Sequence, residues 1–280
     1  MFYTSYLQAK ILFYGAKAQR MSSQREPIFN MPPVITALLL LMGAVYFVMA
    51  LLPDELGSFL LLDWSFIPAR FASGLGFDPL AALQTALGQK LTAEDAVIIQ
   101  FLTEEDTMRP WTLLSYALLH GSGLHLFLNC VWLAAFGSPL ARRIGAERFL
   151  LLFGLCAIGG GLTHFALNWY DVSPLVGASA GIAGCMAAAA LFMFQPGAGF
   201  SGLSFGKNTG HHPPALTLRE AWQDHRVMWF LGSWLAINLL TGLFNPVPGG
   251  SDHIAWEAHI GGFVVGLMLF PMLDPIGPSR

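Results

Sequence analysis

Six long stretches of this 280-residue chain contain no charged residue, and they constrain the fold more than any other feature. The hydrocarbon core of a bilayer is about 30 Å thick and is crossed by about 20 apolar residues in a helix. A charge at its centre is costly, so each uncharged stretch predicts a membrane-spanning helix. The last stretch is short, so its helix is expected to begin a few residues earlier. The stretches lie between Glu26 and Asp54, Arg109 and Arg142, Arg148 and Asp171, Asp171 and Lys207, Arg226 and Asp252, and Glu257 and Asp274.

The composition supports this interpretation and excludes other classes of protein. Hydrophobic residues make up 55% of the chain and charged residues only 11%, whereas about a quarter of a soluble domain is charged. The sequence therefore predicts an all-α integral membrane protein with six transmembrane helices, in contact with the lipid bilayer. The formal net charge of −3 gives no support for a nucleic-acid partner. The three cysteines lack the close spacing of a zinc site, so no metal or cofactor is predicted from them.

The predicted organisation is a membrane domain between two short tails. Residues 1–32 form an N-terminal tail, residues 33–275 the six-helix domain, and residues 276–280 a C-terminal tail. A long loop, 53–110, separates the first two helices. A second connection, 196–227, is rich in Gly, Pro and His and is expected to contain a short helix around 216–226.

The positive charges predict the orientation of the chain in the membrane. If the N-terminus is inside, the inner segments hold eleven Lys and Arg residues and the outer segments three. Cytoplasmic segments carry the excess of Lys and Arg, so both termini are predicted to be cytoplasmic. The loop 53–110 and the short loop 244–253 then face the other side.

A serine lies among small residues in the fourth stretch, within Gly177–Gly181. Gly, Ala and Ser also allow transmembrane helices to pack closely, which is the simplest explanation for Ser179. However, the sixth stretch carries His259, and both residues are near the start of an inward-running helix. They are therefore expected at similar depth, where serine and histidine can act as nucleophile and base.

Polar residues also gather at the start of the second predicted helix, at about 122–137. His125 and Asn129 are four positions apart and share a helix face, and Ser122 is placed to cap the helix. Asn129 alone would also suit a hydrogen bond between helices. His120 and His125 are also candidate metal ligands. Their spacing directs them to different sides of a helix, and no cluster of carboxylates or thiols joins them, so a metal site is not predicted.

Glycines on the sixth helix predict close packing against the fourth. Gly262 and Gly266 follow His259 along one stripe of the helix, and glycine lets two backbones approach until the histidine is within reach of the serine. Glu257 is two positions from His259 and diverges from it. It is therefore expected in a structural bond at the start of the sixth helix.

These motifs resemble those of the rhomboid intramembrane serine proteases, over roughly residues 34–273. The resemblance implies a six-helix rhomboid-like bundle with a long first loop, working without a cofactor in a membrane such as the bacterial inner membrane. It implies a Ser179–His259 dyad with no acid, an oxyanion hole formed by His125, Asn129 and the backbone N–H of Ser179, and a supporting or water-binding role for His120. The substrates implied are transmembrane proteins, cut in or near their membrane segment. The motifs are His-x4-His-x3-Asn (His120, His125, Asn129), Gly-x-Ser (Gly177, Ser179) and Ala-His-x2-Gly-x3-Gly (Ala258, His259, Gly262, Gly266).

The chain departs from the family pattern at two positions. Thr112 follows Trp111 where the family often has arginine, and Ala183 stands where it often has an aromatic residue that stacks on the histidine. The alternative function is a catalytically silent relative that binds transmembrane clients. Such a relative is expected to lack the serine or the histidine, and this chain has both. The sequence does not predict an oligomeric state.

Overall fold

The computed structural model describes residues 31–79, 81, 82, 85, 108–196, 214–244 and 255–277. Most of each predicted tail lies outside these residues. So do most of the later part of the long loop and most of the predicted loop 244–253.

The described residues form helices joined by short connections, with one isolated β-bridge between Phe66 and Leu175. A short 3-10 turn, Tyr116–Leu118, precedes the second long helix, which contains a π-helical segment, Leu133–Gly137. The α-helices are α1 (Pro33–Leu51), α2 (Asp54–Trp64), α3 (Pro68–Gly74), α4 (Thr112–Ser115), α5 (Gly123–Trp132), α6 (Ser138–Ile144), α7 (Ala146–Leu167), α8 (Ser179–Met193), α9 (Leu218–Gln223), α10 (His225–Phe244) and α11 (Trp256–Leu273).

Each of the six predicted helices lies on a helix of the structure. Within the described residues, four helices are long and apolar enough to cross a membrane: α1, the continuous helix Gly123–Ile144, α7 and α11. The chain is thus a helical membrane protein. The fourth predicted helix, α8, has only 15 residues, and the fifth, α10, has 20. The short helix expected around 216–226 is α9.

Two boundaries differ from the prediction. The second helix does not end at 137 but continues to Ile144, because α5 passes through the π segment into α6. Pro139 lies in the first turn of α6. A proline has no N–H to donate to the preceding turn, which favours a local change of helix type. The sixth helix begins at Trp256, one residue before Glu257 rather than several.

Helix α8 forms the centre of the bundle. Every one of its residues after Ser179 is buried, and α7 and α11 pack against it through glycines. A Cβ added at Gly262 would fall on the carbonyl oxygen of Ala180, and one at Gly266 on that of Gly184. Small residues therefore bring the α8 and α11 backbones into direct contact, as predicted.

Two sets of polar contacts mark opposite ends of the bundle. At one end, the Arg143 guanidinium donates to both carboxylate oxygens of Asp274, at 2.8 and 2.9 Å, and this buried pair joins α6 to the end of α11. At the other end, Asn168 donates to Glu257 at 3.4 Å, and His164 lies 3.7 Å from the same carboxylate. The predicted structural bond of Glu257 is confirmed. Ser179 lies at this second end, since α8 and α11 both begin there.

The described part of the first loop packs against the second end of the bundle. Phe66, Ile67 and Ala69 are buried, and the backbone of Phe66 exchanges hydrogen bonds with Leu175 just before α8. The loop therefore supports the segment that leads into Ser179.

Candidate active site

Ser179 is the first residue of α8, and the segment before it has a fixed shape. The Gly177 N–H donates to the carbonyl oxygen of Tyr116 at 2.9 Å. Gly177 has φ +114°, a conformation that side chains disfavour. A Cβ there would also lie 2.7 Å from the ring of His125. Glycine is required at this position by both backbone and space, and the chain turns there so that Ser179 opens α8.

His259 faces Ser179 from the first turns of α11. Its Nε2 lies 2.7 Å from Ser179 Oγ, within hydrogen-bonding distance. Both residues are only partly buried, whereas their neighbours Ala180 and Ala258 are buried. The side chains of both thus stay open to a cavity while the helices behind them pack tightly.

His125 and Asn129 approach the same point from α5. Ser122 caps this helix as predicted, its Oγ accepting the His125 N–H at 3.2 Å. Asn129 is 4% exposed, and its Nδ2 has no hydrogen-bond partner among the described residues. That Nδ2 lies 3.7 Å from the position of a Cβ on Gly177. A buried amide N–H without a partner in the described part of the chain, close to the segment that leads into Ser179, is an available donor.

His120 is buried beside His125. The two rings meet edge to face with centroids 5.1 Å apart. Burial, with a smaller effect of His125, lowers the pKa of His120 to about 4. His120 is therefore neutral at physiological pH.

A cavity of about 300 Å³ lies between α5, α8, α10 and α11. Ser179, His259 and Asn129 line it, together with Asn238. Three of the four predicted site residues thus line one cavity. The fourth, His125, lies beside Gly177.

Asn238 is the site residue that the sequence analysis missed. Its Oδ1 lies 2.6 Å from Nδ1 of His259, on the side of the ring opposite Ser179. The available signal was an asparagine in the middle of the apolar fifth stretch, where a polar side chain marks a functional or packing contact.

The structure also shows the surroundings of Thr112 and Ala183, the two positions that depart from the family pattern. The Arg109 guanidinium pairs with Asp63 of α2 at 2.6 Å, and Thr112 donates to the Arg109 carbonyl at 2.7 Å. An arginine one turn earlier thus anchors the first loop. At Ala183 no ring is present to stack on His259, and Asn238 contacts the imidazole instead.

The chain is similar to several known proteins. Rhomboid protease AarA of Providencia stuartii is 25% identical over 165 residues, which cover 54% of this chain and 52% of that protein. Rhomboid protease GlpG of Haemophilus influenzae is 25% identical over 185 residues, covering 65% and 81%. Rhomboid protease GluP of Bacillus subtilis is 36% identical over 78 residues, covering 28% and 15%. The chain thus spans about half the length of the Providencia relative.

The family model described as Rhomboid domain matches residues 107–274, which contain Ser179, His259, Asn129 and His125. Because this match covers more than half of the 280 residues, the chain belongs to the rhomboid family.

Proposed function

We propose that this chain is an intramembrane serine endopeptidase that cuts transmembrane proteins in or near their membrane segment. The observation that carries the proposal is the 2.7 Å contact between Ser179 Oγ and His259 Nε2, at the edge of a cavity between apolar helices. A serine is a weak nucleophile until a base takes its proton. His259, in contact with the Ser179 hydroxyl, is the proposed base.

The proposed reaction begins when Ser179 attacks the carbonyl carbon of the scissile bond and His259 Nε2 accepts the serine proton. The tetrahedral intermediate carries a negative charge on the former carbonyl oxygen. His259 then donates its proton to the leaving amine, which gives an acyl-enzyme, and water activated by the same base releases the new carboxyl end. No bound ion or cofactor takes part in this scheme.

The proposed oxyanion hole combines the start of α8 with Asn129 and His125. The first N–H groups of a helix have no acceptor within it, and the positive end of the helix dipole lies there. Asn129 Nδ2 adds an unpaired buried donor. Donors that are fixed before the reaction stabilise the charge strongly where water is scarce.

The experiment is labelling of the purified protein with a serine-directed fluorophosphonate, together with cleavage of a transmembrane reporter. Wild type is expected to label and cleave, while Ser179→Ala and His259→Ala lose cleavage. Ser173→Ala removes an exposed serine near the same end of the bundle and is expected to behave as wild type. Cleavage by Ser179→Ala at the wild-type rate would remove Ser179 as the nucleophile and with it the proposal. A wild-type protein that neither labels nor cleaves would favour a silent client-binding protein.

We also propose that the bundle crosses a bacterial inner membrane six times with both termini in the cytoplasm. Arg142, Arg143 and Arg148 lie around the α6–α7 turn, opposite the end that holds Ser179, which suits the positive-inside rule. Cysteines placed at Ser204 and Ser251 are expected to react with impermeant reagents from opposite sides, Ser204 from the cytoplasm. Reaction of both from one side would overturn this orientation.

A further inference from the structure

We propose that Asn238 is a positioning residue that holds His259 in the tautomer able to deprotonate Ser179. The inference deepens the proposed function and rests on it. It adds a third residue to the predicted Ser179–His259 dyad.

The two ring nitrogens of His259 have separate partners on separate helices. Nε2 lies 2.7 Å from Ser179 Oγ on α8, and Nδ1 lies 2.6 Å from Asn238 Oδ1 on α10. A neutral imidazole has one nitrogen that donates and one that accepts. The identity of the Asn238 atom that faces the ring therefore decides which nitrogen can serve as the base.

The Asn238 amide is oriented by its other hydrogen bond. Its Nδ2 donates to the carbonyl oxygen of Trp256 at 3.3 Å, in the first turn of α11. A carbonyl oxygen can only accept, so the NH2 group must face Trp256 and the amide oxygen must face the ring. An amide oxygen also only accepts, so Nδ1 of His259 carries the proton. Nε2 is left with a lone pair directed at the Ser179 hydroxyl.

Burial makes this orientation firm. Asn238 is 6% exposed, although its chain neighbours Ile237 and Leu239 are both exposed. A buried amide that loses a partner is left with an unsatisfied polar group, so the bond to Nδ1 is expensive to break. Both acceptor and donor of Asn238 bond to residues of α11. The side chain thus also ties α10 to the helix that carries the base.

The contact also supports the charged state of the ring. When Ser179 transfers its proton to Nε2, both nitrogens of His259 carry hydrogen and the ring is cationic. The Nδ1–H bond to Asn238 then becomes charge-assisted and stronger. When Nε2 gives its proton to the leaving amine, the ring returns to the same neutral tautomer. A neutral amide supplies orientation here without the negative charge of the aspartate in soluble triads.

Asn238 would hold the His259 ring in place of the aromatic residue that often stands at position 183 in the family. A stacked aromatic residue would restrict the tilt of the imidazole but would not choose its protonated nitrogen. The Asn238 contact does both, since it fixes one edge of the ring and defines the tautomer.

The test compares Asn238→Leu, which removes the acceptor at similar size, with Asn238→Asp, which keeps an oxygen at that point. Thr163→Val is the matched control, because it removes the 2.8 Å hydrogen bond from Thr163 to Gly159 on α7, which packs against α11, without contact to His259. Asn238→Leu is expected to lower kcat by about tenfold to a hundredfold with KM nearly unchanged, as loss of a buried hydrogen bond to the reacting base implies. Asn238→Asp should turn over several times faster than Asn238→Leu. Thr163→Val should stay near the wild-type kcat even if its melting temperature falls.

A second measurement does not depend on turnover. Nitrogen-15 NMR of histidine-labelled protein, assigned with His259→Ala, reports which ring nitrogen is protonated. Wild type and Ser179→Ala should both show protonated Nδ1, and Asn238→Leu should shift toward the Nε2–H form. An unprotonated Nδ1 in wild type, or a wild-type kcat per folded molecule in Asn238→Leu, would overturn the proposal. Loss of the proposed function itself would instead appear as cleavage by Ser179→Ala.

Discussion

Substitution of Gly262 by alanine should separate Ser179 from His259 without changing either residue. The added Cβ would fall on the carbonyl oxygen of Ala180 and lie 2.7 Å from its carbonyl carbon. Non-bonded carbon atoms rest at about 3.5–4.0 Å. The obstacle is helix backbone rather than a movable side chain, so α11 must move away from α8 by about 1 Å.

That movement is large on the scale of the site. Ser179 Oγ and His259 Nε2 are 2.7 Å apart, so an added separation of about 1 Å exceeds the usual limit of a hydrogen bond. A displacement of about 1 Å can lower a rate by about a hundredfold. Overpacking of this kind also destabilises a protein by about 1–3 kcal/mol. Gly262→Ala should therefore lose both rate and stability.

The assay is cleavage of a transmembrane reporter by purified protein, with the melting temperature measured on the same preparation. The matched control is Gly43→Ala in α1, where an added Cβ meets nothing within 4 Å and should leave the rate unchanged. Wild-type cleavage by Gly262→Ala with an unchanged melting temperature would refute the packing argument and the dependence of the site on it.

Three further predictions follow from the described contacts. Asn129→Ala should lower turnover by roughly a hundredfold with a smaller effect on substrate binding; a normal rate per folded molecule with a lower melting temperature would reduce Asn129 to a tie between helices. The pKa of His120 is lowered to about 4 from an ordinary 6.5, so between these pH values the unfolded chain binds more protons than the folded one. The free energy of unfolding should therefore fall by up to about 3 kcal/mol as pH drops from 6.5 toward 4. His120→Gln should flatten this part of the profile of melting temperature against pH, and an unchanged slope would contradict the prediction. Arg143→Met should destabilise by about 3–5 kcal/mol because it leaves Asp274 buried and unpaired, and Arg143→Met with Asp274→Leu should recover most of that loss; equal melting temperatures for the single and double variants would contradict the pairing.

The uncharged stretches predicted where the long helices lie, because charge is excluded from a bilayer whatever the packing. They did not predict where each helix ends. The second helix continues beyond residue 137 because a π-helical segment just before Pro139 accommodates the proline without ending the helix. Such a change of helix type leaves no clear trace in the composition. Helix α8 is shorter than its stretch, since residues 172–178 form a non-helical approach to Ser179.

For the site, the sequence predicted contacts that follow from spacing along one helix. His125 and Asn129 are four positions apart, and the glycine stripe faces α8 on the same side as His259. Asn238 could not be assigned in this way. A lone asparagine in a span is equally typical of a bond between helices, and its partner depends on the rotation of α10 about its own axis. That rotation is set by packing among four helices rather than by any local pattern.

The length of α8 has a consequence for hydration. Its 15 residues span about 22 Å, while the hydrocarbon layer measures about 30 Å. If α8 is centred in this layer, as the proposed topology suggests, its first residue, Ser179, is expected to lie below the lipid headgroups. Each peptide bond that the proposed protease hydrolyses consumes one water molecule. The cavity of about 300 Å³ has room for about ten waters at their liquid volume. Repeated turnover would therefore require water to enter the cavity from bulk solvent. We expect deacylation to slow as the bilayer thickens, and reconstitution in lipids of increasing acyl length measures this; a rate independent of acyl length would show that solvent reaches the serine freely at any depth.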